Sequence, residues 1–339
     1  MSLPAYGFDD ALYAFGQPQV QADFKTCPQD FVVEEILGFE PAGEGEHLFL
    51  QLQTDDQNTR FTLKILSRLY GVSQKLISYS GLKDRRGLTS QWFSIHLPGK
   101  NVHVDGQLLQ ENGITLLQYS RHNKKLRIGT HKANRFHIVL RQVQGADFLP
   151  GRLAEISAQG VPNYFGPQRF GHGGKNVDQA LHWVEKAELP AERELRGRVL
   201  STLRSWLFNG QLAQRIQLSS WQTWQAEEPV LLNGTHSFFT PDAWDSTLQQ
   251  RYEAGDIHLA DWLYSQAHPG SAPDSIARYL DRAQLSDEVR ALRLQPDQLA
   301  WELTGDQFQL SFNLPTGAFA TSVLRELVQL VDQSLPDNR

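Results

Sequence analysis

The densest reactive chemistry in the chain lies in Ser80-Gly81-Leu82-Lys83-Asp84-Arg85-Arg86-Gly87. One acid, Asp84, stands among three cations, Lys83, Arg85 and Arg86, with Gly81 and Gly87 on either side. Cations so close favour the ionised carboxylate. An ionised, part-exposed carboxylate suits a nucleophile that faces a polyanion; a general acid needs a more tightly held proton. The same run also reads as a polar turn whose charges pair with one another. Two strands must position it. Residues 76–79 form a short apolar run, and residues 92–97 alternate large apolar with smaller polar side chains, as a half-buried strand does. Asp84 is therefore expected on a connection that a rigid scaffold presents to a ligand.

The flanking sequence supplies the rest of such a scaffold. Pro28 breaks any helix ahead of Phe31, and residues 31–33 begin a strand in which Phe31 reads as core. Thr59 is placed to cap a helix whose apolar face is Leu63, Leu66 and Leu69, with Ile65 beside it. Residues 134–141 read as a strand with Asn134, Phe136, Ile138 and Leu140 on one face. An amide and an aromatic ring one pleat apart could read one base, the amide on its edge and the ring on its flat face. Such stacking is worth roughly 1–3 kcal/mol per base. A core phenylalanine beside a turn asparagine is the other reading.

Charge adds a direction. The net charge of -6 argues mildly against nucleic acid, but its distribution is uneven. Arg121, Lys124, Lys125, Arg127, Lys132, Arg135 and Arg141 follow one another with no acid among them, whereas residues 34–56 carry only acids. A patch, and not the average, decides local attraction to phosphate.

Other chemistries find little support. Cys27 is the only cysteine, so no internal disulfide and no multi-cysteine zinc or iron–sulfur site is expected, and a cytoplasmic location fits. Eleven histidines occur without metal-ligand spacing, so no metal is expected. Residues 166–175 look faintly like a phosphate loop, but His172 stands where the lysine should follow Gly171, which rejects a nucleotide-hydrolysing reading. No apolar run approaches the ~20 residues of a membrane span, and no export leader is visible.

The length of 339 residues suggests about two domains. Residues 198–216 place Val199, Leu200, Leu203, Leu207 and Leu212 at helical spacing. Thr240-Pro241 is expected to start a helix that Gly255 stops, and residues 276–292 read as a solvent-facing helix. Residues 300–303 and 308–314 form a hairpin, and residues 323–331 close the chain as an amphipathic helix, with Phe319 in the tight turn before it. Strands at both ends and helices between imply a C-terminal segment that returns to the N-terminal sheet.

Five elements, in order along almost the whole chain, resemble the TruD family of tRNA pseudouridine synthases: Lys25, Pro28, Asp30 and Phe31; the Asp84 loop; Asn134 and Phe136; the run 163–171; and Phe319. The departures are Arg86, where the family often has histidine, and Gly87, where alanine is usual; both are expected to loosen the loop. The resemblance implies an α+β fold: a mixed or antiparallel-sheet pseudouridine synthase catalytic domain (1–159 plus 294–339) and an inserted, largely helical second domain (160–293). It implies isomerisation of the uridine at tRNA position 13 to pseudouridine, on a flipped-out base, by a protein expected to be monomeric. Asp84 would be the nucleophile or base. Phe136 would stack on the uracil, Asn134 would hydrogen-bond it, and Phe31 and Phe319 would wall the pocket. Lys25, Lys83 and the cations of 121–135 would hold phosphates or the carboxylate, and Arg169 would sit in a turn that either faces RNA backbone or is purely structural. The reaction has no redox step and loses no group, so no cofactor is expected. The alternative is a non-catalytic RNA-binding or RNA-chaperone protein on the same fold.

Overall fold

A computed structural model describes residues 11–81, 87–100, 102–268, 270 and 272–333, with the side chain of residue 172 also outside the description. Mixed helix and sheet make the α+β class plain. The chain divides into two compact units, one drawn from Met1–Pro18, Gly151–Gln295 and Ala318–Leu327, the other from Gln19–Pro150, Pro296–Gly317 and Val328–Arg339.

The second unit is built on a ten-stranded sheet among the described residues. Its first seven strands in chain order are β1 (Gln21–Phe24), β2 (Phe31–Ile36), β3 (His47–Asp55), β4 (Ile77–Tyr79), β5 (Leu88–His96), β6 (Ile114–His122) and β7 (Ala133–Gln144). The C-terminal hairpin, Asp297–Thr304 and Gln307–Pro315, pairs along β7, and the order runs from that hairpin through β7, β2, β5 and β3 to β6. Pairing is antiparallel except between β2 and β5 and between β1 and the strand Gln329–Asp332.

Alternation gives this sheet two different faces. Leu48, Leu50 and Leu52 of β3 and Phe93 and Ile95 of β5 point to one side, where they pack with Leu63, Ile65 and Leu66 of the helix Thr59–Leu69. Each such buried side chain contributes about 1.5–3 kcal/mol. The cap of that helix is Asn58, whose side chain accepts from the Phe61 N–H at 2.9 Å. Thr59, read as the cap from sequence, is the first helical residue, and its hydroxyl donates to Gln91 Oε1 at 3.0 Å. The opposite face carries Phe49 and Trp92, packed with Leu37 and Leu126.

The first unit is organised around the 25-residue helix Arg193–Gln217, whose buried Leu203, Phe208 and Leu212 pack with Tyr164 and Tyr279. A sheet of four antiparallel strands among the described residues accompanies it: Phe238–Phe239, Val230–Leu232, Ile257–Trp262 and Val289–Ala291. Three expectations from sequence are corrected here and in the tail. The helix expected from Thr240-Pro241 starts at Ser246, because the Asp245 carboxylate takes the Leu248 N–H at 2.8 Å. Residues 276–292 are not one exposed helix. They hold the end of the helix Asp274–Asp281, with Ile276, Tyr279 and Leu280 buried, and then the strand Val289–Ala291. The last described helix is Ala320–Leu327, not residues 323–331, and the chain then turns into a strand as the Gln329 N–H bonds the Val20 carbonyl at 2.8 Å. None of the described helices is long and apolar enough to cross a membrane.

Candidate active site

In the sheet-bearing unit, β2 and β7 bring Phe31, Asn134 and Phe136 onto one face of adjacent strands. Phe31 pairs with Ile138, Val33 with Phe136 and Glu35 with Asn134, so these side chains share a side. Phe31 and Phe136 are 3% and 6% exposed, with ring centroids 6.1 Å apart. Phe312 stacks on Phe136 at 5.5 Å and Phe24 meets Phe31 edge-on at 5.6 Å. Asn134 lies at the more open end of the row, where its Nδ2 is 3.3 Å from His131 Nε2. With the amide donating, that ring nitrogen accepts, and the asparagine carbonyl is fixed in direction. His131 is itself held, since Thr316 Oγ1 donates to its carbonyl at 2.5 Å.

The entry to β2 is clamped. Asp30 is 1% exposed and receives three hydrogen bonds from Arg141, two from Nε at 3.1 and 3.0 Å and one from Nη2 at 2.7 Å, plus the Cys27 N–H at 3.1 Å. Burial alone would raise the Asp30 pKa, but the Arg141 and Cys27 bonds outweigh it and hold the carboxyl below its ordinary value. Arg141, counted with the cationic patch in the sequence, is thus committed to this clamp. Just upstream, Lys25 has a left-handed backbone (φ +59), uncommon for a non-glycine residue. Its ammonium lies 4.3 Å from the Phe31 ring centroid and 5.1 Å from that of Phe24, cation–π distances both.

Asp84, with Lys83, Arg85 and Arg86, lies outside the described residues, but both ends of its loop are described. On the N-terminal side, Ser80 Oγ donates to Glu35 Oε1 at 2.6 Å, and the same oxygen takes the Trp92 N–H at 3.2 Å. The parallel pairing of β2 with β5 ends at Glu34 and Ser90. The buried Glu35 carboxylate, 2% exposed, satisfies the backbone beyond that point and ties Ser80 to the sheet. Gly129 N–H donates to the Ser80 carbonyl at 2.7 Å, and Gln91 Nε2 donates to the Gly81 carbonyl. A Cβ on Gly81 would stand 3.3 Å from the His131 ring. On the C-terminal side, Gly87 has φ +125, and a Cβ there would lie 2.5 Å from the Phe31 carbonyl oxygen. The glycine that departs from the family's usual alanine is therefore demanded by this backbone.

Sequence reasoning missed Glu35, Gln91 and His131. Glu35 could have been found: period two from Phe31 puts Val33 and Glu35 on the buried side, and an acid there needs a partner. Gln91 and His131 had no comparable local signal.

The other expected residues lie in the helix-bearing unit. Phe319 precedes the helix Ala320–Leu327, and its ring meets Phe165 edge-on at 6.2 Å. The run 163–171 is strongly anchored. Asn209 accepts from the Phe165 N–H at 2.8 Å and donates to the Phe165 carbonyl at 3.0 Å, while Ser322 Oγ donates to the Tyr164 carbonyl at 2.9 Å. Arg290 donates to the Asn163 carbonyl at 2.9 Å and to its Oδ1 at 2.7 Å, and lies over Phe165 at 3.9 Å. Arg169 lies over the same ring at 5.2 Å. Burial lowers the pKa of both guanidiniums, and Arg169 adds to the lowering of Arg290, to about 9.

The family model described as tRNA pseudouridine synthase D (TruD) matches residues 8–184 and 175–327. Two relatives described as tRNA pseudouridine synthase D align over nearly the whole chain. That of Methylococcus capsulatus is 40% identical over 346 residues, covering 98% of each chain. That of Stutzerimonas stutzeri is 42% identical over 337 residues, covering 95% of this chain and 96% of its own. A crystal structure from Methanosarcina mazei, at 21% identity, covers 96% of this chain and 98% of its own with a TM-score of 0.66, so the fold is shared.

Proposed function

The chain belongs to the TruD family and is a tRNA pseudouridine synthase, and on that premise we propose that it isomerises the uridine at tRNA position 13 with Asp84 at the reaction centre. The carrying observation is that the loop's two ends are tied to the same sheet face that holds Phe31, Asn134 and Phe136. Gly81 abuts His131, which bonds Asn134, and Gly87 rests on Phe31. Asp84 is three residues from each, and three residues reach at most about 11 Å.

The reaction breaks the bond from ribose C1′ to uracil N1, turns the base and joins C1′ to C5; the proton leaves C5 and N1 takes one up. Atoms and charge balance without an oxidant or a departing group. The uridine first leaves its stack, at a cost of a few kcal/mol. Asn134 then holds the edge of the uracil, and the aromatic row of Phe31 and Phe136 supplies a flat apolar wall for the turning ring. Asp84 acts as nucleophile or base. Lys25, whose ammonium lies over the Phe31 ring, is assigned to the carboxylate or to a phosphate of the substrate.

Incubation with an unmodified tRNA transcript followed by carbodiimide mapping tests this reading. A new pseudouridine at position 13 is expected. A transcript that is bound and left unmodified would point instead to a non-catalytic RNA-binding protein.

A further inference from the structure

On the Phe49–Trp92 face of the sheet, a cavity of about 520 Å³ opens beside the basic stretch. That volume lies within the roughly 300–1,000 Å³ typical of small-molecule sites. Its walls combine Phe39, Phe49 and His122 with Lys124, Lys125 and Arg127, and none of the described residues lining it is acidic. We propose that this cavity is a second nucleotide subsite, taking an unpaired nucleotide of the RNA with its base on Phe39 and His122 and its phosphate on Lys124, Lys125 and Arg127. The proposal rests on the RNA substrate of the proposed function and extends it to a position other than the reacting uridine.

Three observations carry it. First, the aromatic surface is open where stacking needs it. Phe39 is 37% exposed, although it is a large apolar ring, and it lies 5.3 Å from His122 at a tilt of 37°. Phe49, fully buried, backs the same imidazole at 4.9 Å. Second, the imidazole is set as a neutral donor. The Ala42 N–H donates to His122 Nδ1 at 3.1 Å, which leaves the ring proton on Nε2. Burial, and then the charge of Lys124, keep its pKa below the ordinary value. A neutral ring with one free N–H both stacks on a base and donates to its edge. Third, the backbone that carries Arg127 is fixed and tied to Ser80, where the Asp84 loop begins. Thr130 Oγ1 accepts from the Arg127 N–H at 3.1 Å and donates to the Arg127 carbonyl at 2.6 Å. The neighbouring Gly129 N–H holds the Ser80 carbonyl, and Leu126 N–H donates to Ser94 Oγ at 3.0 Å.

Three other members of the basic stretch are engaged elsewhere. Arg141 clamps Asp30, Arg135 donates to Asn313 Oδ1 at 3.3 Å, and Arg121 donates to the carbonyls of Leu97 at 3.4 Å and Lys100 at 2.5 Å. The turn that bears Ala42 also carries Glu40 and Glu44. Phosphate is therefore expected on the Lys124–Arg127 side and the base on the Phe39 side.

Two single-stranded probes separate stacking from charge: a pentamer of adenylate and an abasic ribose-phosphate chain of equal length, both titrated by fluorescence anisotropy against the full chain. Phe39→Ala should weaken the adenylate pentamer about 5- to 10-fold, the lower part of the range for base stacking, and leave the abasic chain unchanged. Phe39→Tyr should restore the difference. Lys124→Ala with Lys125→Ala should weaken both probes. With tRNA, Phe39→Ala should raise KM by a similar factor at unchanged kcat. Equal affinities of native protein and Phe39→Ala for the pentamer would overturn the subsite. Pseudouridine formation by the native protein in the same preparation keeps that failure distinct from a failure of the enzymatic reading.

Discussion

Replacing Gly87 by alanine tests how the sheet sets the loop that carries Asp84, the residue proposed at the reaction centre. The new Cβ would stand 2.5 Å from the Phe31 carbonyl oxygen and 3.0 Å from its ring Cδ1, at φ +125. That backbone region is nearly reserved for glycine and costs about 1–3 kcal/mol for other residues. An ordinary carbon–oxygen contact would require a shift of about 0.8 Å beyond that. Phe31 cannot supply the shift readily, because it is paired with Ile138 and packed against Phe24 and Phe136. The loop end must move. A displacement near 1 Å of a reacting group costs on the order of 100-fold in rate. Gly87→Ala should therefore lose 10- to 100-fold in kcat and about 1–3 kcal/mol in urea unfolding, with little change in Kd for tRNA. Gly305→Ala is the control: φ is +62, but a Cβ there meets nothing within 4 Å. It should cost about 1 kcal/mol and leave turnover intact. Native turnover by Gly87→Ala would refute the reasoning.

Three further outcomes follow from the same geometry. Arg141→Met strands the buried Asp30 carboxylate; because Arg141 is itself part-exposed, the cost should be about 1–3 kcal/mol in urea unfolding. Because the folded pKa of Asp30 is depressed, its contribution is present above the unfolded value of 3.8 and fades as pH falls through the folded one; the variant should flatten that acid limb. Asp261 has its pKa raised to about 6, chiefly by burial and in opposition to the Trp262 N–H bond. The folded state then binds more proton than the unfolded between about 4 and 6, so this group costs stability as pH rises through that window. Asp261→Asn should be more stable above pH 6, by on the order of 1–2 kcal/mol, and equal to the native protein near pH 4. Finally, replacing Lys124, Lys125 and Arg127 by alanine together should lower the slope of log Kd for tRNA against log salt by about 2–3; an unchanged slope would remove these cations from the RNA surface.

What could be read from sequence was what is local. Alternation alone located β7 and the C-terminal hairpin, where Phe136, Ile138 and Leu140 and then Phe308, Leu310, Phe312 and Leu314 are buried in turn. Helical spacing located the long helix, which runs from Arg193 to Gln217. The misread stretches depend on distant partners. Val289–Ala291 is a strand because it pairs with residues 260–262, and helix Ala320–Leu327 ends where Gln329 finds Val20 and Gln21. In the candidate site, the shared side of Asn134 and Phe136 was visible as period two. The clamp of Asp30 by Arg141 and the contact of Gly87 with Phe31 join residues 111 and 56 apart, beyond any local pattern. Gly87 shows the difference well: as a departure from a family pattern it suggested looseness, whereas its backbone shows a tight fit.

The central claim is that one carboxylate, Asp84, performs the isomerisation. Tritium release from tRNA labelled at uracil C5 measures it most directly, with Asp84→Asn at saturating tRNA and its Kd determined alongside. The account predicts native-like binding and no tritium release above background. Release by an Asp84→Asn protein shown by mass spectrometry to be free of deamidation would contradict it.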